Sequence, residues 1–306
     1  MAGPGVYAVI DVGTNSVKLH VGERHDDGSW STIVDRAEVT RLGEGIAETG
    51  DIAPAAIERT VEAIAGMADE ARRRTTAGLI AVGTMGMRNA QNSGAFIAMV
   101  RERCRVTIEV IPGAEEGRLA YLAAKSSLGI AADNLVVFDT GGGSTQFTFG
   151  RGVAVDEQFS LEVGAVSLTA RYGLGGAIPR KRLDETLTAI AEELSRLDQA
   201  SSRDALIGMG GAVTNMTAVM LGLAQYDPDA VQGAVLSRTE VDRQIELLRT
   251  RDVDARRQVV GLQAKRADAI LAGACVVHAV MDKLGRDALT VSDRGLRHGV
   301  LLDRFG

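Results

Sequence analysis

The chain has 306 residues, with 34 lysines and arginines against 40 aspartates and glutamates, a net charge of −6, and 45% hydrophobic residues. That balance suits a globular protein long enough for two domains and excludes a general nucleic-acid coat, which needs a basic surface. Aromatic residues at 4% exclude a stacking platform for single strands, and the most apolar stretch, Met216 to Ala224, is too short to cross a bilayer.

In chain order, residues 6–12 predict a strand, residues 17–22 its hairpin partner, and Trp30 to Val34 a third strand. Pro54 to Arg73 predicts a helix, with Pro in the first turn, Ile57, Val61, Ile64 and Met67 on one face, and cations at the C-terminal end. Gly78 to Val82 reads as a buried strand, Ser93 to Cys104 as a helix, and Val106 to Ile111 as a strand. A helix follows from Pro112-Gly113 through Lys125. The pattern then restarts with strands at Leu135–Phe138, Gln146–Phe149 and Val153–Phe159, an amphipathic helix at Leu183–Leu197, and a strand at Ala205–Met209. Helices close the chain near 238–249, 266–284 and 294–304. The order implies an α/β fold of two like-built domains, 1–128 and 129–306, with mixed β-sheets flanked by helices and a cleft between them.

Two motifs carry the chemistry. Residues 9–16 and 136–146 are apolar runs that end in Asp11 and Asp139, then turn through glycine and small polar residues. Each reads as a strand delivering a carboxylate to its tip, followed by a turn whose amides and hydroxyls suit an oxyanion. The first turn, Gly13, Thr14, Asn15 and Ser16, is equally readable as a plain hairpin turn. The second, Gly141, Gly142, Gly143, Ser144 and Thr145, holds more glycine than a hairpin needs and points to converging N–H groups. Gly210 and Gly211 make a third turn, ahead of a helix. Glu115 and Glu116 open the helix after Pro112, where acids suit the dipole and one acid at a cleft could activate water. Arg88 and Arg41 each follow a strand and offer a guanidinium to phosphate, or sit solvated on the surface. Ser292 and Asp293 read as a cap for the last helix. No two of His20, His25, His278 and His298 have metal-ligand spacing, so all four read as structural or exposed. Cys104 and Cys275 read as buried thiols in a reducing cytoplasm, and no leader peptide is expected.

Taken together, Asp11–Ser16, Thr40–Gly45, Gly83–Asn92, Gly113–Arg118, Asp139–Thr145, Gly208–Gly211, Arg266–Asp268 and Ser292–Arg297 resemble the exopolyphosphatase/guanosine pentaphosphate phosphohydrolase family. That family is a branch of the actin and sugar-kinase superfamily. The resemblance implies duplicated ribonuclease-H-like (actin-like ATPase) domains with the active site in the interdomain cleft. It implies release of terminal phosphate from inorganic polyphosphate, from pppGpp, or from both. Mg²⁺ is the implied cofactor, with another divalent cation or a monovalent K⁺ as alternatives. Glu116, rather than Glu115, matches the catalytic glutamate, Asp139 the metal- and water-associated aspartate, Gly141 and Ser144 the phosphate loop, and Arg88 a phosphate-binding arginine.

On this reading Glu116, Asp139 and Arg88 are catalytic, and Asp139 and Asp11 hold the metal. Phosphate is gripped by Asp11, Gly13, Thr14, Asn15, Ser16, Arg41, Gly141, Gly142, Gly143, Ser144, Thr145, Gly210 and Gly211. The chain is expected to be a cytoplasmic homodimer that engages polyphosphate or guanosine polyphosphate and neither nucleic acid nor membrane. Two departures stand out. Gln146 replaces the family's usual Glu, which predicts weaker metal binding, low activity or a binding-only sensor. The chain also ends at Gly306, without the HD-type helical domain of longer relatives, which predicts a preference for shorter polyphosphates. A superfamily kinase is the remaining alternative, and the Glu116 motif argues against it.

Overall fold

The computed structural model describes residues 3–130, 132–152, 154–200 and 204–306. They form two compact units, Met1–Ala123 with Leu296–Gly306, and Ala124–Gly295.

The first unit is built on β1 (Gly5–Val12), β2 (Ser16–Arg24), β3 (Trp30–Val39), β4 (Gly78–Gly83) and β5 (Ile108–Val110), in sheet order β3-β2-β1-β4-β5. The first three strands form an antiparallel meander, and β1–β4 and β4–β5 are parallel. Helices α1 (Ile46–Thr49), α2 (Pro54–Arg73), α3 (Met85–Asn89), α4 (Ser93–Cys104) and α5 (Gly113–Leu128) connect them.

Central strand β1 is apolar on both faces, so both must be covered. Ala8, Ile10 and Val12 share a core with Ile64 and Met67 of α2 and Phe96 of α4. Tyr7 and Val9 share another with Leu296, Val300 and Leu301. Those last residues belong to the chain's final helix.

The second unit repeats the plan with β6 (Asn134–Thr140), β7 (Thr145–Arg151), β8 (Ala154–Leu161), β9 (Ala205–Met209), β10 (Val235–Ser237) and β11 (Ala288–Ser292). Their order, β10-β11-β9-β6-β7-β8, matches the first sheet with one extra edge strand. Again a three-stranded antiparallel meander is followed by parallel β6–β9 and β9–β11 pairs. The helices are α6 (Ala165–Tyr172), α7 (Arg180–Glu193), α8 (Gly211–Leu221), α9 (Pro228–Val231), α10 (Arg238–Arg249), α11 (Val253–Arg257) and α12 (Ile270–Lys283). The last element, α13 (Leu296–Phe305), returns to the first unit. Apolar nearly all round, α12 is the buried centre of this unit. Arg256 is fully buried and donates to the carbonyls of Leu248, Leu174, Gly176 and Ala267, which ties the last turn of α10 to two loops.

The α/β reading and the repeated mixed sheets hold. Boundaries shift where side-chain pattern is weak. The third strand runs on to Val39, and the strand expected at 106–111 shortens to Ile108–Val110. The long helix expected at 183–197 spans Arg180–Glu193 and tightens into a 3₁₀ turn at Ser195–Gln199. Val153, expected to start a strand, and residue 131, just past the expected division after residue 128, lie outside the described residues. The expected division put everything after residue 128 in one domain, whereas Leu296–Gly306 belongs with the first unit.

Glycine makes that return possible. A Cβ at Gly299 would overlap the backbone carbonyl of Leu119 on α5, and one at Gly22 would stand 2.9 Å from Leu301. Glycine to alanine inside a helix normally adds about 1 kcal/mol. Gly299→Ala should instead remove about 2 kcal/mol through overpacking, read as a lower denaturation midpoint, while Gly66→Ala in α2, where nothing lies within 4 Å, should stabilise.

Candidate active site

In the first unit the turn between β1 and β2 is closed by Gly13 N–H donating to the Ser16 carbonyl at 3.0 Å. The register that this bond fixes places Asp11 opposite Lys18, whose Nζ donates to Asp11 Oδ2 at 3.0 Å. Asp11 is 2% exposed. Two further segments are stitched to the turn. Thr40 and Arg41 N–H groups donate to the Asn15 carbonyl at 3.1 and 2.9 Å, and Gly43 N–H to the Thr14 carbonyl at 2.8 Å. Gly86 N–H donates to Thr14 Oγ1 at 3.1 Å. A Cβ at Gly43 would strike the Thr14 side chain, so this glycine makes room for it. Arg41 holds a left-handed φ of 51° beside this turn, a strained conformation for a side-chain-bearing residue.

The two adjacent glutamates separate completely. Glu115 accepts two bonds from Arg118 at 2.9 and 2.8 Å, and Arg118 also reaches Asp303 of α13 at 2.7 Å. Glu116, in the first turn of α5, is 7% exposed and meets Arg88 Nη1 at 2.5 Å. The same Nη1 donates to the Ile111 carbonyl at 2.7 Å. Glu115 is thus a clamp on the surface, and Glu116 is a buried carboxylate oriented by a guanidinium.

The second unit repeats the turn at atomic detail. Gly141 N–H donates to the Ser144 carbonyl at 2.9 Å, and Asp139 pairs across the hairpin with Gln146. Here the turn is stitched to the start of α6, where Ala165 N–H donates to the Gly141 carbonyl and Val166 N–H to the Gly142 carbonyl, at 3.0 and 2.8 Å. A Cβ at Gly164 would run into the Gly142–Gly143 backbone. Gly210, at φ +94°, passes so close that its Cβ would stand 2.7 Å from Asp139 Oδ1, and Gly211 lies against the Arg266 guanidinium. Gln146 Nε2 donates to Ser144 Oγ at 2.6 Å and to Ser160 Oγ at 3.1 Å.

The structure brings Asp11, Gly13, Thr14, Asn15, Ser16 and Arg41 together in one unit, with Arg88 beside Glu116. It brings Asp139, Gly141, Gly142, Gly143, Ser144, Gly210 and Gly211 together in the other. Three side chains differ from expectation. Thr145 is fully buried and turns its hydroxyl to the Val163 carbonyl at 2.5 Å, so it braces the loop rather than offering that hydroxyl to phosphate. Thr14 accepts an amide bond with its hydroxyl oxygen and serves chiefly as a staple. The helix α13 is not capped by Ser292, whose hydroxyl instead closes a local turn with Arg294. Lys18 and Gly164 went unread in the sequence; hairpin register alone would have placed Lys18 opposite Asp11.

Residues 21–306 match the Ppx/GppA phosphatase family. The chain belongs to that family. Among its relatives, exopolyphosphatase 2 of Mycobacterium tuberculosis is 30% identical over 325 residues, covering 98% of both chains. A bifunctional 3-dehydroquinate synthase/phosphatase of Fusobacterium nucleatum is 27% identical across 97% of this chain, which spans only 46% of that protein. A guanosine-5'-triphosphate,3'-diphosphate pyrophosphatase of Aliivibrio fischeri is 28% identical across 97% of this chain, which spans 59% of that protein. The Aquifex aeolicus Ppx/GppA enzyme superposes with a TM-score of 0.84 at 31% identity, covering 98% of this chain and 99% of its own. Ppx/GppA members thus carry the names of two phosphoric-anhydride hydrolases, and the fold of this chain, with its two repeated sheets, is that of the Aquifex family member.

Gly164→Ala tests the second turn. The backbone at Gly164 is extended, so alanine adds only the overlap with Gly142 and Gly143. A shift of the turn by about 1 Å should lower anhydride hydrolysis about 10²-fold, measured as phosphate release, with the circular-dichroism spectrum unchanged.

Proposed function

We propose that this chain is an exopolyphosphatase that removes the terminal phosphate of inorganic polyphosphate by attack of water. The observation that carries the reading is the sorting of the two acids on α5. A buried carboxylate held at 2.5 Å by Arg88 has the fixed orientation that a general base needs, whereas Glu115 is committed to Arg118. Water attacks the terminal phosphorus, its proton passes to Glu116, and the bridging P–O bond breaks with the electron pair leaving on the shortened chain. Arg88 orients Glu116 through this step, and the Gly13–Ser16 and Gly141–Ser144 turns offer amides and hydroxyls to phosphate oxygens.

The donor set of the second unit suits Mg²⁺. Asp139 is a partly exposed strand-tip carboxylate with glycine backbone close on one side, and Mg²⁺ is usually held by one or two carboxylates together with substrate phosphates. Asp139 would hold the ion; Asp11 is the poorer candidate, because Lys18 already neutralises it. When bound, the cation spreads the charge that develops on the transferred phosphoryl group. Gln146 contributes no charge to that site, since its amide nitrogen is engaged by Ser144 and Ser160.

Phosphate release from polyphosphate and from pppGpp, measured side by side with Mg²⁺, tests the substrate. Faster release from polyphosphate is expected; release from pppGpp alone replaces the assignment with a guanosine-polyphosphate phosphohydrolase, the activity named for the Aliivibrio relative. Glu116→Gln should cut turnover about 10²–10⁴-fold while substrate still binds. Near-normal turnover in that variant would dismiss Glu116 as the base.

A further inference from the structure

His20 and Asp35 face each other in the register of β2 and β3, and His298 reaches them from the first turn of α13. His20 Nδ1 lies 3.6 Å, and His298 Nε2 3.0 Å, from the same oxygen, Asp35 Oδ2. One donor atom from each of the three residues falls within 4.8 Å of the others, and the two imidazole rings lie tilted at 48° with centroids 4.2 Å apart. Arg297 holds the carboxylate from the opposite side, Nε on Oδ1 at 2.7 Å and Nη2 on Oδ2 at 3.0 Å.

The cluster is incomplete in hydrogen bonds. His20 is 3% and His298 7% exposed, yet the Nδ1 atoms of both lack a hydrogen-bond partner among the described residues. A separation of 3.6 Å from His20 Nδ1 to the carboxylate is too long for a hydrogen bond, and buried polar atoms are rarely left so. Neutral imidazole and ionised carboxylate are the forms in which such groups ligate metal.

We propose that His20, Asp35 and His298 form a structural site for a divalent first-row transition cation of the Zn²⁺ type. Two imidazole nitrogens and one carboxylate oxygen suit Zn²⁺ and Co²⁺, and they disfavour Mg²⁺, which takes oxygen ligands. Ligand spacings in a tetrahedral Zn²⁺ site are about 3.3 Å, within small side-chain adjustments of the distances here. Arg297 takes the part of an outer partner that orients the ligating carboxylate, and its charge limits the affinity. The bound ion would pin α13 to the β2–β3 hairpin. The site stands on elements other than the glycine turns and Glu116, so it is distinct from any cation that accompanies phosphate.

The test uses the full chain, stripped with chelator and titrated with Co²⁺ as the spectroscopic probe. One equivalent should produce the visible absorption of nitrogen-ligated, low-coordinate Co²⁺, displaced by Zn²⁺ and not by excess Mg²⁺. In the NMR spectrum the ring protons of His20 and His298 should shift paramagnetically, while those of His25 and His278 stay, an internal control that needs no variant. His298→Gln should abolish the absorption. Absence of the band, its persistence in His298→Gln, or shifts confined to His25 or His278 would overturn the site.

Discussion

The backbone bond that closes each glycine turn sets the rest of the chemistry. Gly13 N–H to the Ser16 carbonyl and Gly141 N–H to the Ser144 carbonyl are the same bond made twice, at 3.0 and 2.9 Å. Each bond fixes a hairpin register, and the register decides which residue faces the strand-tip aspartate. Slipping either hairpin by one residue would turn that aspartate to the opposite face of its sheet.

From that shared constraint the two units diverge in charge. Asp11 faces Lys18 and is neutralised in place. Asp139 faces Gln146, a neutral amide, in the same register position. Bracing differs as well. The first turn is stitched to the segments after β3 and β4, and the second to the start of α6. Duplication thus supplies one scaffold with two electrostatic outcomes.

Much of this was legible in the sequence because the signals are local. Apolar runs ending in Asp11 and Asp139, followed by glycine, mark strand and turn without reference to the rest of the chain. Resemblance to the family singles out Glu116 rather than Glu115, and helix geometry sets the two apart: neighbouring residues turn about 100° from each other, one toward Arg88 and the other toward solvent and Arg118. Long-range pairings were illegible. His20 and His298 lie near opposite ends of the chain, so no spacing rule joins them. Nothing in the sequence around Arg256 marks it for burial, yet tertiary closure buries it among carbonyls. The hydroxyl of Thr145 was misassigned because the sequence does not show that Val163 passes behind it.

The final helix links these long-range features to the buried carboxylate of Glu116. With Tyr7 and Val9 on one face and Ile10 and Val12 on the other, β1 leaves a face that α2 and α4 do not cover, and α13 covers it. At Gly299 the same helix rests directly on the backbone of Leu119, and through Asp303 it holds Arg118. Both contacts fall on α5 within one turn of Glu116. Arg297 and Asp35 fix α13 from the far side, against β3. A continuous run of packed backbone and ion pairs therefore connects the β2–β3 hairpin, α13 and α5 to the acid that Arg88 orients. Because close-packed interiors transmit displacement rather than absorb it, the position of Glu116 depends on how firmly the ten residues of the last helix are seated.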